Sequence, residues 1–174
     1  MPLTPLHYPI AYLVYRLKKN LSLPGLIVGS MFPDFEIPVI FLFFRSESLY
    51  DRLVLHSLLG AVTIGTLLSV LFTIVLFSHL VTAVFPVRTK RVKANSNLSG
   101  KLVLSCLIGT ISHVVLDVTT HRYNPVFWPF QTFTVSHIFT PQVSSLTHVV
   151  LASFALITFI IHRQNPWNEL FIEQ

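Results

Sequence analysis

Long apolar runs alternating with short polar stretches set the frame of the chain. The first run, 23–44, reads LPGLIVGSMFPDFEIPVIFLFF; the second, 58–86, is the longest and carries no formal charge; the third covers 102–116 and the fourth 143–161. A helix needs about 20 apolar residues to cross a bilayer core, and the second run, at about 1.5 Å per residue, spans roughly 40 Å, ample for a tilted crossing. The pattern predicts an all-α, polytopic integral membrane helical bundle of about four membrane spans. The 174 residues suit a single integral membrane domain, 1–174, and not two comfortable ones. Ahead of the spans, Thr4 as N-cap and Pro5 at the first helical position predict a short N-terminal helix over 5–19. That segment lacks the basic start and small-residue cleavage site of a secretory signal. Between the third and fourth runs, 122–141 is rich in aromatic residues, with Tyr123, Phe127, Trp128, Phe130, Phe133 and Phe139. It suits an interfacial segment at headgroup level, or a lid over a site.

Composition agrees with this frame. Hydrophobic residues make up 52% of the chain and charged ones 11%, against roughly 25% charged in ordinary soluble domains. A net charge of +5 would by itself suit a nucleic-acid binder, but the basic residues gather in short loops between apolar runs. That distribution reports topology, and no nucleic-acid partner is expected. Arg16, Lys18, Lys19, Arg88, Lys90, Arg91, Lys93, Lys101 and Arg163 fall on one side, against Arg45, Arg52 and Arg122 on the other. The first side is therefore expected to be cytoplasmic in a multi-pass protein of the cell membrane, with the polar stretch 87–101 forming a basic, turn-rich loop there. The sequons at Asn20 and Asn97 then lie inside and stay unmodified. Cys106, the single cysteine, cannot form an internal disulfide or a thiolate metal site and reads as a small core residue. His79, with no acidic partner nearby in sequence, also reads as a core residue.

The candidate chemistry lies at the ends and breaks of the spans. Residues 112–129, SHVVLDVTTHRYNPVFWP, put His113, Asp117 and His121 at successive i, i+4 positions, one face of a helix. In the first run, Pro33, Asp34, Glu36 and Pro38 interrupt an otherwise apolar span. A carboxylate at the centre of a membrane helix costs roughly 2.5–3.5 kcal/mol on insertion scales and is functional by default. The prolines break the backbone ladder there and turn peptide groups toward a cavity; otherwise the helix ends at Phe32 and Asp34 lies in a solvated loop. His56 and Ser57 open the second span. Because successive helices alternate direction, His7, His56, His113, Asp117 and His121 all fall toward the outer side, with Asp34 part-way down its span. Mixed imidazole and carboxylate donors suit zinc, manganese or iron better than calcium. Two such ions would activate a bridging water, with Asp34 and Glu36 as catalytic candidates and Glu36 read either as a base or as a partner that orients a ligand. Arg52 and Arg122 are candidates for neutralising a phosphate, or ordinary interfacial charges.

The order of MPLTPLH at the N-terminus, PDFE at 33–36, His56-Ser57, SHVVLDVTTH at 112–121 and a later Trp-Pro resembles the predicted membrane-bound metal-dependent hydrolases. The resemblance covers about the first 130 residues. That family is in turn similar to the zinc-dependent phospholipase C and single-strand nuclease superfamily, which shares an H-x-x-x-D pair. The resemblance implies a binuclear or trinuclear site that hydrolyses phosphoesters. Asp34, His56, His113 and Asp117 match the ligands of one metal, Asp117 bridges to a second held by His7, and His121 is a further match. A later His followed four residues on by Glu, the third-metal set of the soluble enzymes, is not met, since His137 has Pro141 at that spacing. The threonine usual before the His-Ser pair is Leu55 here. The function expected is hydrolysis of a phosphoester in a membrane lipid or other amphiphile, with one to three divalent transition-metal ions, zinc foremost. The alternatives are a non-catalytic, metal-stabilised bundle, alone, as a homo-oligomer or as a subunit of a larger membrane complex, and an ion or proton path along Asp34, Glu36 and His56.

Overall fold

The computed structural model of the chain describes residues 4–44, 52–131, 134–135, 138–162 and 171. Arg45, Phe133, His137 and Arg163, which the sequence argument used, lie outside them. The fold is an all-helical bundle in which four helices are long and apolar enough to cross a membrane: Leu23–Phe43, Leu58–Val84, Gly100–Thr120 and Pro141–Ile161. Each of the four begins on a hydroxyl cap. Ser22, Ser57, Ser99 and Thr140 have extended backbones, and their side chains accept from the N–H groups of Gly25, Gly60, Leu102 and Val143. Each thus satisfies one of the donors a helix start leaves open.

The N-terminal helix differs from expectation in its ends. A 3₁₀ turn, Thr4–His7, leads into the α-helix Tyr8–Leu17, which stops where the N–H of Lys18 turns back onto the carbonyls of Val14 and Tyr15. Pro9 has no N–H to give Pro5, so the first turn cannot close in the α pattern. The first span is continuous but changes pitch. It is α-helical over Leu23–Met31, tightens to a 3₁₀ turn at Phe32–Phe35 and resumes at Glu36–Phe44. The break at Pro33 therefore does not end the helix, and it leaves Asp34 buried, not solvated.

The first and third spans form the centre of the bundle through small residues. A Cβ on Gly29 would lie 2.5 Å from the carbonyl oxygen of Cys106, and one on Gly109 would lie 2.8 Å from the carbonyl oxygen of Leu26 and the nitrogen of Ser30. The Ser22 N–H donates to Ser105 Oγ at 2.7 Å. Gly25 and Gly29 form the G-x-x-x-G spacing that lets membrane helices approach at backbone distance, where packing and hydrogen bonds replace the hydrophobic drive. Cys106 is buried in this contact, as expected.

The second span contains two π-helical turns, Ala61–Gly65 and Thr73–Phe77. At the first, the Ala61 carbonyl accepts from the N–H of Thr66, from Thr66 Oγ1 at 2.7 Å and from Thr110 Oγ1 of the third span at 3.0 Å, which ties the π turn to the third span. His79 is a correction: it is exposed beside Leu76 and Leu80, while Phe77, Ser78 and Val81 take the inner face.

The stretch 87–101 is likewise not all loop. It folds as a helix over Thr89–Asn95 because Val92 is fully buried against the core and Ser22 Oγ donates to the Asn95 carbonyl at 3.1 Å. The aromatic segment holds a two-residue antiparallel pair, Tyr123–Asn124 with Thr134–Val135, in the register Tyr123↔Val135. Its Val126 carbonyl accepts from the Leu58 N–H at 3.0 Å, which fixes the segment to the start of the second span. The fourth span is peripheral: Leu151 and Thr158 are its buried residues.

Candidate metal centre

Pitch changes and close helix packing bring four donors into one ring. Asp34 comes from the 3₁₀ turn of the first span, His56 from just ahead of the second, and His113 and Asp117 from successive turns of the third. His56 Nε2 lies 3.6 Å from Asp34 Oδ1 and 3.7 Å from Asp117 Oδ2. His113 Nε2 lies 3.5 Å from each of the same two oxygens. Imidazole and carboxylate thus alternate around a quadrilateral. Asp34, at 9% exposure, is the most accessible of the four; the others are at 1% or less.

The outer hydrogen bonds aim the imidazoles. His113 Nδ1 donates to the Ser30 carbonyl at 2.8 Å, so its Nε2 turns a lone pair inward. His56 Nδ1 donates to Glu36 Oε2 at 2.9 Å, with the same result. The Glu36 carboxylate also accepts from the N–H groups of Leu53 and Leu55 at 3.0 and 3.2 Å. Of the two roles the sequence leaves open for Glu36, this geometry suits the one that orients a ligand.

His56 Nε2, His113 Nε2, Asp117 Oδ1 and both nitrogens of His7 have no hydrogen-bond partner among the described residues. Buried lone pairs left in this way are costly unless something occupies the space between them. Separations of 3.5–3.7 Å are too long for hydrogen bonds. Within the trio Asp34, His56 and His113, whose ligand atoms all lie within 4.8 Å of one another, they are close to the roughly 3.3–3.6 Å that separates donors placed about 2.0–2.2 Å from a tetrahedral ion. The donor set therefore fits a divalent transition metal.

His7, fully buried, stacks on His113 with ring centroids 4.0 Å apart and 20° between planes, and its Nε2 is 3.9 Å from Asp117 Oδ1. Burial, with His113 beside it, lowers the pKa of His7 from 6.5 to about 3, so it is a neutral donor. Burial alone would lower His56 too, but the carboxylates of Asp34 and Glu36 outweigh it and raise that pKa.

His121 and Arg52 pair with each other. Arg52 is buried; its Nε donates to Asp117 Oδ2 at 3.3 Å and its Nη2 to His121 Nε2 at 2.7 Å. His121 belongs to neither group of donors close enough to share an ion, which are Asp34, His56, His113 and His7, His113, Asp117. Arg122 is exposed.

Two supports escaped the reading of the sequence. Ser30 acts through its carbonyl, which no residue type signals. Asn124 is buried, and its Nδ2 donates to the carbonyls of Asp117 and His121 at 3.2 and 3.1 Å, closing the third span; its place seven residues after Asp117 was the available signal. An open cavity of about 290 Å³ lies between the N-terminal helix and the fourth span, lined by Tyr12, Arg16, Phe154 and His162 among others, and touches none of the ring donors.

Fold and site together define a polytopic helical membrane protein with a buried His/Asp donor ring. A family model matches residues 1–172, and the chain belongs to that family, described as a domain of unknown function, DUF4184. No curated protein and no solved structure matches it.

Proposed function

We propose that this protein is a membrane-embedded, metal-dependent hydrolase that cleaves a phosphoester of a lipid or other amphiphile. The observation that carries the reading is the buried ring of Asp34, His56, His113 and Asp117, with inward lone pairs held by Glu36 and the Ser30 carbonyl. The motif resemblance to predicted membrane-bound metal-dependent hydrolases supports the same reading. A divalent ion in the ring, zinc foremost and manganese or iron otherwise, supplies an acidified water and polarises a phosphoryl oxygen. The chain's own residues prepare the place: Glu36 fixes the tautomer of His56, the Ser30 carbonyl fixes that of His113, and His7 covers one face of the His113 ring. A site inside a helical bundle favours an amphiphilic substrate that enters from the bilayer.

The charge distribution supports a topology with the centre toward the outer face. Arg52 is bound into the centre, which leaves Arg45 and Arg122 against nine basic residues on the other side. The hydrogen bond from Ser22 to Asn95 joins the basic turn after Arg16 to the basic helix Thr89–Asn95 at one end of the bundle. That end is assigned to the cytoplasm.

A second reading has its own observation. Four protein donors close a ring without help, as in structural zinc sites, whereas catalytic zinc keeps an open position. One experiment separates the two. Asp117→Asn and wild type are purified in detergent, analysed for bound metal, and assayed on phospholipid and other phosphoester micelles. The hydrolase reading expects metal and turnover in wild type and neither in Asp117→Asn. Metal without turnover on any phosphoester, together with a fall in thermal stability on chelation, would favour the structural bundle, alone or within a larger membrane complex.

A further inference from the structure

We infer that the centre holds a single metal ion and that Arg52 supplies the positive charge a second ion would bring to Asp117. This rests on the reading that Asp34, His56, His113 and Asp117 hold an ion, and it departs from the binuclear or trinuclear site that the motif resemblance implies. The number of donors that remain limits the number of ions. His113 belongs to both candidate groups, but its Nδ1 is committed to the Ser30 carbonyl. One nitrogen is left, Nε2, and it faces both Asp34 Oδ1 of one group and Asp117 Oδ2 of the other, so it can serve only one ion.

A second ion would therefore draw on His7, Asp117 Oδ1 and His121, the groups on the other side of the Asp117 carboxylate. His121 is not available. A guanidinium has donors only, so the 2.7 Å contact from Arg52 Nη2 makes His121 Nε2 the acceptor. In the neutral ring the proton then sits on Nδ1, which donates to Thr120 Oγ1 at 3.0 Å and stands 3.4 Å from Asp117 Oδ1. Two protein donors are left, His7 Nε2 and Asp117 Oδ1, 3.9 Å apart. Catalytic zinc sites use three.

Electrostatics points the same way. Arg52 is buried and its Nε lies 3.3 Å from Asp117 Oδ2. A permanent cation beside the one carboxylate both ions would share opposes a second divalent charge, and in a buried setting water screens it little. Arg52 thus balances Asp117 at Oδ2, the oxygen that also faces His56 and His113, while it withdraws His121 from the ligand set. The sequence alone could not separate this from a phosphate-binding role, because His121 and Arg52 are 69 residues apart.

The test is metal stoichiometry, with no need for a substrate. The full chain in detergent is loaded with Mn²⁺ alone, freed of excess metal, and examined by elemental analysis and electron paramagnetic resonance. Wild type is expected to hold one ion per chain with the spectrum of an isolated Mn²⁺. Arg52→Met, which frees His121 and removes the charge, is expected to rise to two ions, its second binding at least about tenfold tighter than any second ion in wild type. Arg52→Lys keeps the charge and is expected to stay at one. Two ions in wild type, or an exchange-coupled pair, would overturn the inference whether or not the Met variant folds. A folded Arg52→Met that binds its second ion no tighter than wild type would overturn the role given to Arg52. No ion in wild type would instead remove the metal reading itself.

Discussion

Gly29→Ala tests whether the contact between the first and third spans sets the geometry of the ring. The added Cβ would lie 2.5 Å from the Cys106 carbonyl oxygen, and 3.1 Å from that residue's Cα and carbonyl carbon. These are backbone atoms of a helix, so no side chain can swing aside. Ordinary contact begins at 3.4 Å, so the two spans must part by about 0.9 Å. Asp34 rides on the first span five residues beyond Gly29, and His113 and Asp117 ride on the third beyond Cys106. The separation therefore opens the 3.5 Å spacing between His113 and Asp34 and strains the bond from His113 to the Ser30 carbonyl. Overpacking of this kind costs about 1–3 kcal/mol, and the same loss in ion binding is a roughly 5- to 150-fold weaker affinity. Gly100→Ala is the matched control: its Cβ meets nothing within 4 Å, at the first residue of the third span. The assay is metal affinity by chelator competition beside a thermal melt, both in detergent. If Gly29→Ala holds metal and melts as Gly100→Ala does, the spans do not set the ring through this contact.

Further predictions follow from the supports. Glu36→Gln leaves His56 without the carboxylate that accepts from its Nδ1; metal affinity should fall about 10- to 100-fold, and an unchanged affinity in chelator competition would remove Glu36 from the centre. Asn124→Ala takes its amide donor from the carbonyls of Asp117 and His121. The Asp117 carbonyl keeps the His121 N–H at 2.9 Å, so the loss falls on the His121 carbonyl; such a loss costs about 1–3 kcal/mol, and the melt of the folded variant should drop accordingly. For topology, an impermeant maleimide applied to intact cells should label a cysteine at Phe130, which is 91% exposed, and should reach one at Lys90 only after permeabilisation. The reverse pattern would invert the assigned orientation.

The helical content and the spans were legible because each is a local property. Length, apolar run and a Ser or Thr at the start are enough to make a membrane helix, and the structure begins its four spans at Ser22, Ser57, Ser99 and Thr140. The i, i+4 pair of His113 and Asp117 was legible for the same reason. His79 was misjudged because nothing in an uninterrupted apolar run tells the lipid face from the packed face. The helix at Thr89–Asn95 was missed because its single apolar anchor, Val92, is buried against residues of other elements. The Gly25 and Gly29 spacing was present in the sequence, but its meaning depends on which helix lies opposite.

By itself, then, the sequence determined a bundle of about four membrane helices and the donor types that suit a transition metal, since hydropathy, capping and charge distribution act within one segment at a time. Only the tertiary structure decided which donors come together. Asp34 meets His113 because Gly29 and Gly109 bring two spans to backbone contact. Glu36 turns to His56, and Arg52 to His121, across separations of 20 and 69 residues. Those pairings depend on the pitch and approach of helices distant in the chain, which no single stretch encodes.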